Sequence, residues 1–113
     1  MKVQFRYNDA WESVEFTEEA CAFIKLKLQR NHTLKCVDFY PVAKRWRSSK
    51  FFLEAEDGSS TLWILDLDRK ARIGGKVLYY FKEIETQSEF DEILRNDLVW
   101  WTKYMKDAGA WNK

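Results

Sequence analysis

The stretch from Lys50 to Ile84, KFFLEAEDGSSTLWILDLDRKARIGGKVLYYFKEI, restricts the chain to architectures built on an antiparallel meander. Phe51, Leu53 and Ala55 alternate with Phe52, Glu54 and Glu56, the period of a strand with two distinct faces. Asp57-Gly58-Ser59-Ser60 then breaks the alternation with residues that suit tight turns. Leu62, Ile64 and Asp66 alternate with Trp63, Leu65 and Leu67 in a second strand. In RKARIGGK the Gly74-Gly75 pair permits positive φ, which predicts a second turn holding Arg69, Lys70, Arg72 and Lys76. Val77 to Ile84 returns as a third strand, rich in β-branched and aromatic residues.

The rest of the chain supplies elements to pack on this meander. Lys2 to Tyr7 alternates Val3, Phe5 and Tyr7 with Gln4 and Arg6 and predicts a half-buried strand, and Ser13 to Phe16 predicts a second short one. Trp11, in the connection between them, is expected to fold back as a lid on the core. Thr17-Glu18-Glu19 offers a capping hydroxyl and two carboxylates at the positive end of a helix dipole, predicting a helix to about Asn31. Ile24 to Leu28 also alternates as a strand would, but the explicit cap decides for helix. Thr33 to Val42 is apolar on both faces and reads as a central strand, which Pro41 either ends or places at an edge.

The last segment carries the longest helical pattern. Ser88-x-x-Asp91 resembles a capping box, and Phe90, Ile93, Leu94, Leu98, Trp101 and Met105 follow at helical spacing. Trp100 and Tyr104 lie one step round from that stripe and are expected to widen it. The expected fold is α+β in one domain spanning residues 1–113. Its order is β-β-α-β-β-β-β-α, with an antiparallel sheet of five to six strands. The C-terminal helix covers one face and the other face is left partly open.

Charge and composition exclude several functional classes. A formal charge of +1 is neither that of a strongly basic nucleic-acid protein nor that of an acidic mimic. The N-terminus lacks an apolar h-region, and no run approaches the ~18 apolar residues of a membrane span, so a soluble cytoplasmic protein without membrane contact is expected. Cys21 and Cys36 show no ligand spacing and are expected as reduced, buried thiols. His32 stands alone beside Asn31, without a partner at triad or metal-ligand spacing. Gly74-Gly75 leads into a strand, unlike a phosphate-cradling loop, which leads into a helix. Asp66 with Asp68 and Glu83 with Glu85 alternate with apolar strand positions, the pattern of solvent-facing carboxylates. The chain is therefore expected to be no enzyme and to use no cofactor or metal.

What remains is a pattern of cations among aromatics. Lys44, Arg45, Arg47 and Lys50 surround Trp46, and Arg69, Lys70, Arg72 and Lys76 form a second group. Residues 41–76 carry eight basic and five acidic side chains, so the middle third is the basic part. In a meander both groups fall at one end of the sheet, where they are expected to converge beside Trp46, with Trp63, Tyr79 and Tyr80 on the sheet. The leading expectation is a non-enzymatic binding protein that holds single-stranded nucleic acid through these nine residues. The alternative is a small protein-interaction module, of inhibitor, immunity or adaptor type, presenting aromatic and arginine anchors to a partner protein. Exposed aromatics on the sheet would equally suit a homodimer interface. Location separates the readings: Trp46 beside Arg69–Lys76 favours nucleic acid, whereas aromatics gathered on the last helix favour a protein.

Overall fold

The computed structural model describes residues 9–28, 33–59 and 61–107. Its elements are β1 (Trp11–Ser13), α1 (Thr17–Lys27), a 3-10 turn (Thr33–Cys36), β2 (Phe39–Arg45), β3 (Lys50–Ala55), β4 (Leu62–Ile73), β5 (Lys76–Ile84) and α2 (Gln87–Asp107). The strands form one five-stranded antiparallel sheet in the order β1-β2-β3-β4-β5, so each pairs with its neighbour in sequence. This is the expected α+β fold, with α2 packed on the sheet. The expected strand over Lys2–Tyr7 and His32 lie outside the described residues, whereas the first helix, expected to run to about Asn31, ends at Lys27 with Leu28 extended as its C-cap.

The meander pairs in the register its alternation dictates. Phe52 faces Ile64, and Leu62 faces Ile84. These residues share the α2 side of the sheet with Ala10, Trp11 and Ala43, and α2 closes the cluster with Phe90 and Leu94. Trp11 is thus the expected lid: it lies 4.3 Å from the Phe52 ring, which in turn lies 5.1 Å from Phe90. On the opposite side, Phe39, Phe51, Leu53 and Leu65 form a second cluster with Ile24 and Leu28 of α1 and with Leu34. The second face, expected to be partly open, is covered in part. Helix α1 covers it beside β2, and Trp63, Leu67, Tyr79 and Phe81 pack half-buried against the same cluster. The apolar residues on both faces of β3 explain this, since a strand so composed needs two covers.

Several boundaries move. Strand β1 begins at Trp11 and stops at Ser13. Phe16, not Thr17, is the N-cap of α1; no side chain caps this end, and the Phe16 carbonyl accepts from the Ala20 N–H at 3.0 Å. The expected strand from Thr33 starts only at Phe39, because residues 33–36 form the 3-10 turn. A lysine holds that turn in place. The Lys25 ammonium donates to the carbonyls of Leu34, Lys35 and Val37 at 3.2, 2.8 and 2.6 Å, satisfying backbone acceptors that no ladder reaches. Pro41 lies inside β2, opposite Leu53, yet β1 pairs only with Ala43–Arg45. Its missing N–H therefore falls where β1 makes no ladder, in agreement with the edge reading. A bulge between Pro41 and Ala43 turns the strand so that Pro41 meets Leu53 while Ala43 meets Phe52 on the other face.

Turn chemistry follows the residues closely. The Asp57 carboxylate accepts the Ser59 N–H at 2.8 Å, and Gly58, Gly74 and Gly75 have φ of 83°, 59° and 79°. The capping box of α2 is shifted two residues from the expected position. Thr86 Oγ1 accepts the Glu89 N–H at 3.1 Å, and Glu89 reaches back to the Glu85 N–H at 3.0 Å. Glu89 can reach the preceding loop backbone from N3, whereas Asp91 lies two positions further along the helix.

Strand β4 runs well past the expected turn. A bulge between Asp66 and Lys70 redirects it, after which Lys70–Ile73 pairs with Lys76–Tyr79 as a two-stranded ribbon. Strand β3 starts at Lys50, opposite Asp66, so the ribbon has no third strand beside it. Arg69, Lys70 and Arg72 consequently belong to a strand, not to the turn, whose tip is Gly74-Gly75.

Two outcomes test this packing. Phe90→Ala removes the fully buried ring on which α2 docks and is expected to cost about 3–5 kcal/mol in chemical denaturation, as for other large core aromatics. Tyr40 provides the second test. Its hydroxyl donates to the carboxylate of its cross-strand partner Glu54, which raises the phenol from its ordinary 10 to about 12. A folded-state value above the unfolded one means stability present in full below about pH 10 and lost as pH rises towards about 12. The stability gap between wild type and Tyr40→Phe should therefore shrink across that window in urea titrations, and a gap independent of pH would refute the linkage.

Candidate interaction site at the β2–β3 turn and α2

Asp97 organises the residues that the sequence marked as candidates. It sits seven positions after Phe90 and three after Leu94, which places a carboxylate on the buried stripe of α2 with 6% of the residue exposed. Such a charge needs partners, and the sheet supplies them. Arg45 Nη1 lies 3.2 Å from Oδ1 and Lys50 Nζ 3.6 Å from the same oxygen, while Trp11 Nε1 donates to Oδ2 at 3.0 Å. Trp11 and Arg45 are cross-strand partners, so β1 and β2 deliver both to one side of the sheet. The Arg45 guanidinium also lies over the Trp100 ring, 4.2 Å from its centroid, and its buried Nε makes no hydrogen bond.

The turn beyond Arg45 folds onto the second half of α2. The Trp46 N–H donates to the Ala10 carbonyl at 2.8 Å, fixing the turn to the segment before β1. The Trp46 ring meets Tyr104 edge-on at 5.3 Å and Trp100 at 6.4 Å, and Trp100 stacks on Tyr104 at 5.6 Å. All three rings are half-buried. Exposed Arg47 lies against this cluster, with its guanidinium 5.5 Å from both the Trp46 and Tyr104 centroids. Arg47 has φ of 56°, and among the described residues it is the one non-glycine in the left-handed region. That conformation costs an L residue roughly 1–2 kcal/mol.

The remaining candidates are dispersed. Lys44 is half-buried and points its ammonium at the Arg45 carbonyl at 3.5 Å. Arg69 lies over the Tyr80 ring at 4.2 Å, on the wall of a cleft of about 360 Å³ between α2 and β4–β5. Lys50, Arg69 and Lys82 line this cleft from the sheet, and Glu89, Glu92 and Asp97 line it from the helix. Lys82 forms an ion pair with Glu89. Lys70 and Arg72 are exposed on the ribbon, while Lys76 opens β5 and its side chain lies outside the described set. The two basic groups therefore do not merge into one patch. Lys50 and Arg69 reach a common cleft, where carboxylates balance them, and Arg45, Trp46 and Arg47 turn instead to α2.

Asp97, Trp100 and Tyr104 are the members of this site that the sequence reading left out of it. The signal for Asp97 was present as an acid at helical spacing on an apolar stripe. Among the described residues no group of three or more His, Cys, Asp or Glu side chains is placed to hold a metal ion. The Cys21 thiol is free, donates to the Phe39 carbonyl at 3.4 Å, and is pushed up by burial, away from a reactive thiolate. No described helix is long and apolar enough to cross a membrane. In comparisons with known proteins, the chain matches no family model, no curated sequence and no solved structure.

Removing Asp97 exposes the asymmetry of its network. Asp97→Ala leaves two cations and an indole N–H without their acceptor and is expected to cost about 3 kcal/mol or more in denaturant unfolding. Arg45→Ala should cost less, because Lys50 and Trp11 still hold the carboxylate. Equal losses from the two substitutions would show that Asp97 is not the centre of the network.

Proposed function

We propose that this protein is a non-enzymatic protein-binding module whose contact surface is the ridge formed by Arg47, Trp46, Trp100 and Tyr104. The observation that carries this reading is the packing of Trp46 onto α2, which gathers tryptophan, tyrosine and arginine into one half-buried cluster. These residue types dominate the energetics of protein interfaces when they are held in place and flanked by polar groups. Arg47 and Lys103 supply exposed polar neighbours here.

The same packing weighs against single-stranded nucleic acid as the ligand. Base stacking needs open ring faces beside unpaired cations, each stacked base contributing roughly 1–3 kcal/mol. Arg45 and Lys50 are engaged by Asp97, and the Trp46 ring is engaged by Trp100 and Tyr104. The partner is expected to be retained on immobilised wild-type protein and lost from a Trp46→Ala, Tyr104→Ala double variant whose circular dichroism is unchanged. Retention of the same partner by the double variant would refute the site. Salt-sensitive binding of oligothymidylate with quenching of tryptophan emission would instead favour nucleic acid.

A further inference from the structure

Arg47 combines three properties that folding alone does not call for. Its backbone occupies the left-handed region, where the other turns of the sheet place Gly58, Gly74 and Gly75. Its side chain is exposed, and no described carboxylate lies within ion-pair distance of it. Yet its guanidinium packs against the Trp46–Tyr104 pair, 5.5 Å from each ring centroid. A glycine at this position would relieve the backbone and remove only an exposed side chain.

Resting on the protein-binding reading above, we infer that Arg47 is a preorganised receptor for a carboxylate, and that the partner presents an acidic segment to the ridge. The guanidinium offers five N–H donors in a planar fork, and no described residue accepts from it; a carboxylate fills two of them in parallel. The rings restrict the side chain before the partner arrives, so less entropy is lost on contact. Charge around the ridge agrees. Among the described side chains of α2, Lys103 follows Trp100 by three positions and Lys106 lies in the last turn, both exposed, whereas Glu89, Asp91 and Glu92 lie in the first half and Asp97 is buried; Asp107 is the last residue of the helix. A partner carboxylate flanked by apolar side chains would meet the fork and the ring edges together.

Selection of short random peptides displayed against the intact protein tests this, with Arg47→Gly and Trp46→Ala as parallel baits. The enriched peptides are expected to share an Asp or Glu at a fixed position. Their affinity, read by fluorescence anisotropy, should fall at least about tenfold on Arg47→Gly and on replacing that acid by its amide, the loss expected of an interface hot spot. Arg47→Lys keeps the charge without the fork and should fall between wild type and Arg47→Gly. Arg47→Gly should melt at or above the wild-type temperature, since the strained backbone is relieved; a lower melting temperature would overturn the claim that Arg47 is kept for contact and not for folding. Arg47-dependent peptides without a carboxylate would overturn the acidic partner and leave the protein-binding reading standing. Peptides indifferent to both substitutions, or no enrichment, would overturn both, and tighter Arg47-dependent binding of oligothymidylate would replace the acidic segment by a phosphate backbone.

Discussion

A buried carboxylate on α2 ties the separate parts of this protein together. Asp97 is reached from β1 by the Trp11 indole, from β2 by Arg45 and from β3 by Lys50. Each strand therefore contributes one polar group to the helix that crosses them, inside a contact otherwise made by Phe52, Phe90 and Leu94. Apolar packing alone tolerates sliding of a helix along a sheet, whereas a carboxylate with three directed partners specifies one position. The position of α2 in turn decides where Trp100 and Tyr104 stand, and so where the β2–β3 turn must fold.

The sheet is built to receive a cover on each face. Phe51, Leu53 and Leu65 point to α1, while Phe52, Leu62 and Ile64 point to α2, so the central strands carry apolar groups on both sides. Two bulges make this compatible with the ends of the strands. The one beside Val42 lets β2 offer Phe39 and Pro41 to one face and Ala43 to the other. The one after Asp66 redirects β4 beyond the point where β3 has ended. Irregularity is thus placed where strand lengths differ, a common use of bulges.

The meander was legible because its turns carry Asp, Gly and Ser at the positions their geometry demands, and because period-two alternation leaves few alternatives. The α2 stripe was legible from its spacing. Less so was the segment before β2, where apolar residues on both faces suggested a strand but Lys25 stabilises a 3-10 turn through three carbonyls, a tertiary contact without sequence signature. The binding candidates divide in the same way. Their clustering around Trp46 was visible, yet whether a cation is solvated, paired or stacked depends on what lies across from it. Asp97 is 47 positions from Lys50 and 86 from Trp11, and no local pattern announces that the three meet.

The ribbon beyond the second bulge gives the basic residues on β4 another role. From Lys70 to Ile73 the strand pairs with β5 alone, and its other edge bears backbone groups that no described strand covers. An uncovered edge is a template for pairing with a second chain, a hazard increased here by exposed Ile73. Lys70 and Arg72 stand on that edge, and two such ribbons brought together would set like charges against one another. Like charge at Lys70 and Arg72 thus disfavours edge-to-edge pairing of two copies of the ribbon.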